Sequence, residues 1–212
     1  EVVARGWKKS FNKGEREETK SESLQETLAF PVRAYEKYNG FLGILGYDSH
    51  TKEPIFCSKS SIDTEFARNF ERIFRESHNE VLPKLIETMI ESNVCFAFEV
   101  IDPINDPHII EYNHEHVVLL DVIERNIVFK NWNYERLCEF ARSNKLLYKH
   151  LAKTFDNWGA LKTFINEVDV YVDGDIEGYM IEDSNNFAFK LKSPYYSKWK
   201  MLRGMLQNMS KG

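Results

Sequence analysis

Two lysines, Lys190 and Lys192, stand two residues apart in the run Phe189-Lys190-Leu191-Lys192. On a strand, residues at that spacing face the same side. Two adjacent ammonium groups repel one another unless an anion lies between them, and a polyphosphate is the natural anion. A third lysine, Lys37, precedes the tight-turn pair Asn39-Gly40. A free lysine is protonated at neutral pH, with an ordinary pKa of about 10.4. Neighbouring cations and partial burial lower that value and free the amine to act as a nucleophile. Carboxylates interrupt apolar runs in the same way: Glu99 within Cys95-Phe96-Ala97-Phe98-Glu99-Val100, and Glu177 just before Gly178-Tyr179. Singly, each of these charges reads as an edge residue facing water. Together they describe a phosphate site with a lysine nucleophile and with carboxylates for a metal or a ribose. A hard divalent cation would neutralise the phosphates during an in-line displacement.

These residues need a scaffold, and the pattern along the chain predicts one. Strands are expected at Val2 to Trp7, Phe30 to Glu36, Gly40 to Tyr47 and Glu53 to Ser58, with turns at Asn12-Lys13-Gly14 and Asp48-Ser49-His50. Glu15 to Glu26 is polar and charged and reads as a loop or mobile linker. Ile62, Phe66, Phe70, Ile73 and Phe74 recur at helical spacing, with Ser61 or Asp63 as the cap. Pro83 is expected to open a second helix, whose apolar face carries Leu85, Ile86, Met89 and Ile90. Further strands are predicted at Val94 to Ile101, Val117 to Ile123 and Asn126 to Lys130, and helices at Tyr134 to Ser143 and Asn157 to Asn166. Val170 to Val172 reads as a short polar-flanked segment. Gly178 to Glu182 and Phe187 to Leu191 form a hairpin about Asp183-Ser184-Asn185-Asn186, and a last helix runs from Ser197 to Met209. The sum is an α+β chain of antiparallel strands with helices outside.

Composition bounds the reading. The chain has 212 residues, 42% of them hydrophobic, which suits one domain or at most two small ones and argues against overall disorder. The net charge is −5, against a wholesale basic coat for nucleic acid. Yet from Ser184 to Gly212 there is no Asp or Glu, while Lys190, Lys192, Lys198, Lys200, Arg203 and Lys211 are all basic. That stretch is either a solvated tail or a phosphate-facing surface. Cys57, Cys95 and Cys138 fit neither a disulfide framework nor a zinc pattern, so reduced thiols and an intracellular setting, cytoplasmic or nuclear, are expected. No apolar run approaches membrane-spanning length and no signal peptide is visible.

The order of these residues resembles a known family. Lys37-Tyr38-Asn39-Gly40 is similar to the nucleophile motif Lys-x-Asp/Asn-Gly of the covalent nucleotidyltransferases, which include ATP-dependent RNA and DNA ligases and mRNA capping enzymes. Glu99, Glu177 and the Lys190–Lys192 pair resemble the three later motifs in order and separation. Within that superfamily the chain most resembles RNA ligases of the phage RNA ligase 1 and fungal tRNA ligase type. Arg5-Gly6-Trp7-Lys8-Lys9-Ser10-Phe11-Asn12-Lys13-Gly14-Glu15, Ser58-Lys59-Ser60-Ser61 and the segment from Asp102 to Tyr112 carry that part of the likeness.

The resemblance implies a nucleotidyltransferase (ATP-grasp-like ligase) fold, with antiparallel sheets flanked by helices around an ATP pocket. It implies a single adenylyltransferase domain over 1–212, expected to be a piece of a longer ligase because residue 1 is Glu and the motifs end near the C-terminus. It implies that Lys37 takes AMP from ATP as a phosphoramidate, with Mg2+ or Mn2+ as cofactor. AMP then passes to an RNA 5′-phosphate, and a 3′-hydroxyl attacks that end to release it. Lys190 and Lys192 would hold the α-phosphate, Lys9 and Lys59 would contact phosphates, and Glu99 would bind the ribose. Glu177 would organise the lysine or the metal. Glu36 would meet the adenine edge through its main chain, and Asn39, beside Gly40, would lie near the nucleophile or a metal-bound water. The implied partner is RNA with 5′-phosphate and 3′-hydroxyl ends, tRNA first, with fused or associated end-healing domains and no membrane.

The chain departs from the family pattern at Asn39, where aspartate is commoner, and at Ser10, where one of two phenylalanines stands. Related ligases of this type also carry an arginine-containing element further upstream, thought to engage the ATP phosphates, and further C-terminal sequence that selects the RNA, and neither is seen in residues 1–212. Other readings are a degenerate module that binds RNA or nucleotide without chemistry, and a DNA ligase or GTP-using capping enzyme. His108, His114 and His116, with Glu115, read as a surface-loop cluster or a metal site. Tyr195, Tyr196 and Trp199 would either stack on RNA bases or pack a terminal helix.

Overall fold

The computed structural model describes residues 1–171 and 175–210. The predicted segment at Val170 to Val172 runs outside the described residues, as does Lys211 of the basic stretch. The chain divides into two units, one of Glu1–Lys8, Gly40–Pro107 and Tyr112–Lys149, the other of Lys9–Asn39, His108–Glu111 and His150–Gly212.

The first unit is built on a four-stranded antiparallel sheet in the order β4-β3-β5-β6, with β3 Phe41–Asp48, β4 Glu53–Ser58, β5 Val94–Ile101 and β6 His116–Glu124. The β5 sequence is an almost unbroken apolar run because both its faces are covered. Helices α2 (Glu65–His78), α3 (Leu82–Ser92) and α4 (Tyr134–Ser143) supply one cover. Phe70, Ile73 and Phe74 of α2 meet Phe56, Phe96 and Phe98 of the sheet in one buried cluster. A smaller cluster of Ile44, Cys57, Cys95, Ala97 and Ile123 lies apart from it.

The second unit holds a five-stranded sheet in the order β1-β9-β8-β2-β7. Its strands are β1 Phe11–Asn12, β2 Val32–Lys37, β7 Leu151–Phe155, β8 Gly178–Glu182 and β9 Ala188–Lys192. All pairings are antiparallel except β1 with β9. Helix α5 (Trp158–Asp169) and the short α1 (Ser21–Thr27) pack their apolar residues on the strands, burying Leu24, Leu161, Phe164 and Ile165 beside Val32, Ile181 and Phe189. Helix α6 (Pro194–Met209) follows β9 directly.

Several expectations are corrected. Val2 to Trp7 is not a strand: it lies against β3, with Tyr47 N donating to Val3 O and Ala4 packed beside Ile44, but forms no strand ladder with it. Glu15 to Glu26 is not a linker. It folds as a 3-10 turn, Glu17–Thr19, and then α1, because Leu24 and Leu28 anchor an otherwise polar stretch in the core. The cap of α2 is Thr64, whose hydroxyl accepts from Ala67 N, rather than Ser61 or Asp63. Asn126 to Lys130 makes no strand, since only Ile123 and Asn131 form a bridge and Ile127 is 84% exposed. Strand β7 was not anticipated. Its burial pattern is exposed over Ala152–Thr154, so it lacks the alternation that marks a half-buried strand. The three cysteines are buried free thiols. No helix among the described residues is long and apolar enough to cross a membrane.

Candidate active site

In the second unit, backbone register brings the nucleophile candidate and a motif lysine to one line across three strands. Lys37 on β2 pairs with Gly178 on β8, and Gly178 pairs with Lys192 on β9. Glu177, the residue before Gly178, then lies between the two lysines. Its Oε1 is 2.9 Å from Lys37 Nζ and 3.6 Å from Lys192 Nζ. The carboxylate is only 3% exposed, and the lysine side chains are 19% and 15% exposed. One carboxylate oxygen thus balances two ammonium groups in a poorly solvated place. A buried cluster of this kind favours a further negative charge.

Gly178 makes the register possible. Its φ is +143°, and a Cβ built on it would lie 2.1 Å from Leu191 O. Only glycine tolerates both that backbone angle and that approach. Beyond it, Ser193 N donates to Glu177 O, and the Ser193 hydroxyl donates to Ile176 O while accepting from Tyr196 N to cap α6. Pro194 at the first turn suits the helix start.

Burial pushes the Lys192 ammonium down to about 8; Glu177 opposes the shift, and Lys200 and Lys37 add to it. The charge of Lys192 is therefore lost as pH rises through about 8, where an ordinary lysine stays charged. In that window the unfolded chain binds the extra proton, so this group's contribution to stability rises between about 8 and 10.5. Anion binding at the cluster follows the opposite course. Its affinity is expected to fall by up to about tenfold per pH unit above this pKa. Titration with inorganic pyrophosphate at pH 7, 8 and 9 checks this, and Lys192→Arg, which stays charged, is expected to flatten the profile.

The remaining candidates are placed as follows. Lys190 pairs with Met180 on β8 and with Asn12 on β1, and its carbonyl accepts from Lys13 N. Glu36 precedes the nucleophile on β2. Its main-chain N–H donates to His150 O, and its carboxylate lies 3.3 Å from His150 Nδ1. Asn39 is buried at 7% exposure; its Oδ1 accepts from Ile110 N, and its Nδ2 stands 3.5 Å from the Tyr196 hydroxyl. Asn39 thus ties the turn after the nucleophile to the His108–Glu111 segment and to α6. Lys9 is exposed, with Nζ 4.9 Å from the Phe11 ring centre.

In the first unit, Glu99 on β5 faces Leu42 on β3, and its Oε1 accepts from Gly40 N at 2.8 Å. A Cβ at Gly40 would meet Val100 O at 2.2 Å, so the strand pairing requires glycine there. Lys59 is exposed on the turn after β4, where Ser58 N and Oγ both donate to Ser61 O.

Two residues of α6 stood outside the catalytic and nucleotide-binding set expected from the sequence, where Tyr196 was read as a base-stacking or helix-packing aromatic and Lys200 as part of the basic stretch. Tyr196 packs as a buried helix residue and meets Asn39, and Lys200 reaches Lys192. The available signal was the four-residue spacing of Tyr196 and Lys200, which is one helix face once Ser193-Pro194 is read as the helix start just after Lys192. Trp199 is 48% exposed, with its ring 6.2 Å from that of Tyr195. Among the described residues no group of three or more His, Cys, Asp or Glu could hold a metal ion. His114 and His116 sit ring to ring, and the His116 Nδ1 contacts the His114 carbonyl.

Comparison with solved structures gives the same architecture. An ATP-dependent RNA ligase from an archaeon matches with a TM-score of 0.65 at 16% identity, over 91% of this chain and 49% of that one. A lysine-to-alanine mutant of the Naegleria gruberi RNA ligase, solved with ATP and Mn, matches with a TM-score of 0.68 at 11% identity, over 94% of this chain and 60% of that one. A candidate ATP-dependent DNA ligase from Aquifex aeolicus matches with a TM-score of 0.58 at 16% identity, over 83% of this chain and 47% of that one. The chain therefore has the nucleotidyltransferase fold and spans about half the length of these ligases. No curated protein matches the sequence. The sequence model of the family described as RNA ligase matches residues 1–196. With nearly its whole length covered by that match, the chain belongs to the RNA ligase family.

Proposed function

We propose that this chain is the adenylyltransferase part of an ATP-dependent RNA ligase. The observation that carries the reading is the Lys37–Glu177–Lys192 cluster on three neighbouring strands of a chain in this family. Lys37 Nζ attacks the α-phosphorus of ATP. A nitrogen–phosphorus bond forms, the bond to the β-phosphate oxygen breaks, and pyrophosphate leaves. Glu177, 2.9 Å away, orients the amine and is placed to take its proton. Lys192 and Lys190 hold the α-phosphate oxygens and stabilise the charge that develops on them. An RNA 5′-phosphate oxygen then attacks the phosphorus, and Lys37 leaves as the amine. Finally an RNA 3′-hydroxyl attacks the activated 5′-phosphate, and AMP departs.

Asn39 sets the turn after Lys37, and Glu99, which accepts from Gly40 N, is the ribose ligand of this reading. Glu36 contributes its main chain to the adenine edge, and Lys9 and Lys59 contact the outer phosphates. A divalent cation, Mg2+ or Mn2+, would neutralise phosphate charge when bound. Glu177 is its candidate protein ligand. Two ammonium groups already share one oxygen of that carboxylate, which fits an ion carried chiefly by phosphate oxygens and water. The substrate is an RNA with 5′-phosphate and 3′-hydroxyl ends, tRNA being the first candidate, inside the cell, with end-healing domains fused or associated. A binding module without chemistry finds no supporting feature, since Lys37, Glu99, Glu177, Lys190 and Lys192 are all present.

Incubation with Mg2+, a labelled nucleotide and a 5′-phosphorylated strand tests the substrate class. Adenylylated RNA is expected from ATP, with little product from GTP or from a DNA strand. Labelling by GTP alone, or transfer only to nicked DNA, would replace this reading with a capping enzyme or a DNA ligase.

A further inference from the structure

Helix α6 starts at the nucleophile cluster, where Ser193 N donates to Glu177 O and the Ser193 hydroxyl accepts from Tyr196 N. The helix buries Tyr196, while Trp199, Met201, Met205, Leu206 and Met209 stand exposed. Tyr195, Trp199, Leu202, Leu206 and Met209 follow one another at steps of four and three, so they form one apolar stripe. An exposed apolar stripe of this length marks an interaction surface.

Charge narrows what that surface takes. Helix α6 holds Lys198, Lys200 and Arg203 and no carboxylate, although the chain as a whole carries −5. Lys198 and Arg203 are exposed, and the helical turn sets them on opposite flanks of the stripe, nearest Trp199 and Leu202. A second copy packed stripe to stripe would bring two such basic helices together with no carboxylate on either to answer them. A polyanion is the complementary partner. The rings select among polyanions. Tyr195 and Trp199 are one turn apart, with ring centres 6.2 Å apart and planes inclined at 58°. At that tilt neither ring covers the other face to face, and Trp199 is half exposed. An unpaired base stacks its flat face on such a ring, whereas a duplex has those faces covered already. Trp199 lies five residues past Pro194, about 8 Å along the helix axis. A strand held there passes close to the reacting lysine without occupying the phosphate positions on β9.

We propose that this face of α6 holds single-stranded RNA next to the end being joined, with Trp199, backed by Tyr195, as the stacking platform and Lys198 and Arg203 as contacts to the RNA backbone. The choice of RNA as the nucleic acid rests on the ligase reading. The platform itself rests on the rings and the charges.

Fluorescence anisotropy of a labelled single-stranded oligoribonucleotide, titrated without ATP, tests it on the parent chain and on Trp199→Ala, Trp199→Leu and Trp199→Phe. Trp199→Ala and Trp199→Leu are each expected to weaken binding about tenfold, the scale of one base–aromatic stack, and Trp199→Phe to keep most of the affinity. Replacing Lys198 and Arg203 by Ala is expected to make the salt dependence shallower, by about 0.7 per cation in the slope of log affinity against log salt. Leucine keeps the face apolar but has no ring, so parent-like binding by Trp199→Leu would overturn the proposal, as would parent-like binding by Trp199→Ala. Self-association of the parent chain in light scattering, abolished by Leu206→Glu while the Trp199 variants bind RNA like the parent, would overturn it in favour of a contact between copies. Because Trp199 is exposed on a helix, its variants are expected to fold, and thermal unfolding checks that they do. Binding is read without any covalent step. A chain that loses RNA with Trp199 but never forms lysyl-AMP would defeat the ligase reading alone, and one that forms lysyl-AMP but binds RNA equally well without Trp199 would defeat this proposal alone.

Discussion

Lys37→Arg is expected to abolish ATP-dependent formation of the lysine adduct, by at least about a thousandfold, while leaving the fold intact. The guanidinium keeps the positive charge that Glu177 faces at 2.9 Å, so the buried carboxylate is not abandoned. It cannot lose a proton at any working pH and so cannot serve as the nucleophile. The same variant separates the steps of the reaction. RNA that already carries AMP on its 5′-phosphate needs no lysine nucleophile, only the residues that hold phosphate and ribose. Joining of pre-adenylylated RNA is therefore expected to be reduced much less than joining that starts from ATP. A gel assay of both substrates with the parent and Lys37→Arg reads the split. Equal loss on both would mean that Lys37 has a positioning role instead of the covalent one.

Gly178→Ala is expected to be the most damaging single methyl group in the second unit. The new Cβ would stand 2.1 Å from Leu191 O and 2.7 Å from Lys192 Cα, at a φ of +143° that L side chains rarely adopt. Both obstacles are backbone atoms of the neighbouring strand, so relief requires β8 and β9 to part where Gly178 pairs with Lys192. A cost of about 3 kcal/mol or more follows, which lowers the melting temperature by roughly 6–12 °C in a chain of this size. Adduct formation should fall with it, because the same pairing sets Lys192 and Glu177 beside Lys37. Gly204→Ala in α6 is the control. Nothing lies within 4 Å of its Cβ and its backbone is helical, so circular dichroism should show no loss of stability. A Gly178→Ala chain that melts with the parent would contradict the register argument.

The parts of this site that the sequence made legible are those whose signal is local. Strands β4, β5 and β8 were readable to their end residues because an apolar run or a turn pair bounds each one. The pairing of Lys190 with Lys192 was legible from the two-residue period alone. What stayed hidden depends on contacts distant in the chain. Leu24 looks like an isolated leucine in a charged stretch until the sheet of the second unit is there to bury it. The link of Asn39 to Ile110 and Tyr196 spans 71 and 157 residues, and no spacing rule reaches that far. Asn39 was expected beside the nucleophile for its chemistry, and the structure gives its amide a tying role as well. The contact of Lys200 with Lys192 was lost for a simpler reason: the helix was predicted to start at Ser197, three residues late, which concealed the common face of Tyr196 and Lys200.

The account stands most directly on one covalent bond. The chain is incubated with ATP and Mg2+, its intact mass is measured, and the modified peptide is mapped. A gain of one AMP, located on Lys37 and matched by the release of one pyrophosphate, is the predicted result. A chain that binds ATP with its fold intact but gains no mass, or that carries AMP on a residue other than Lys37, would contradict it.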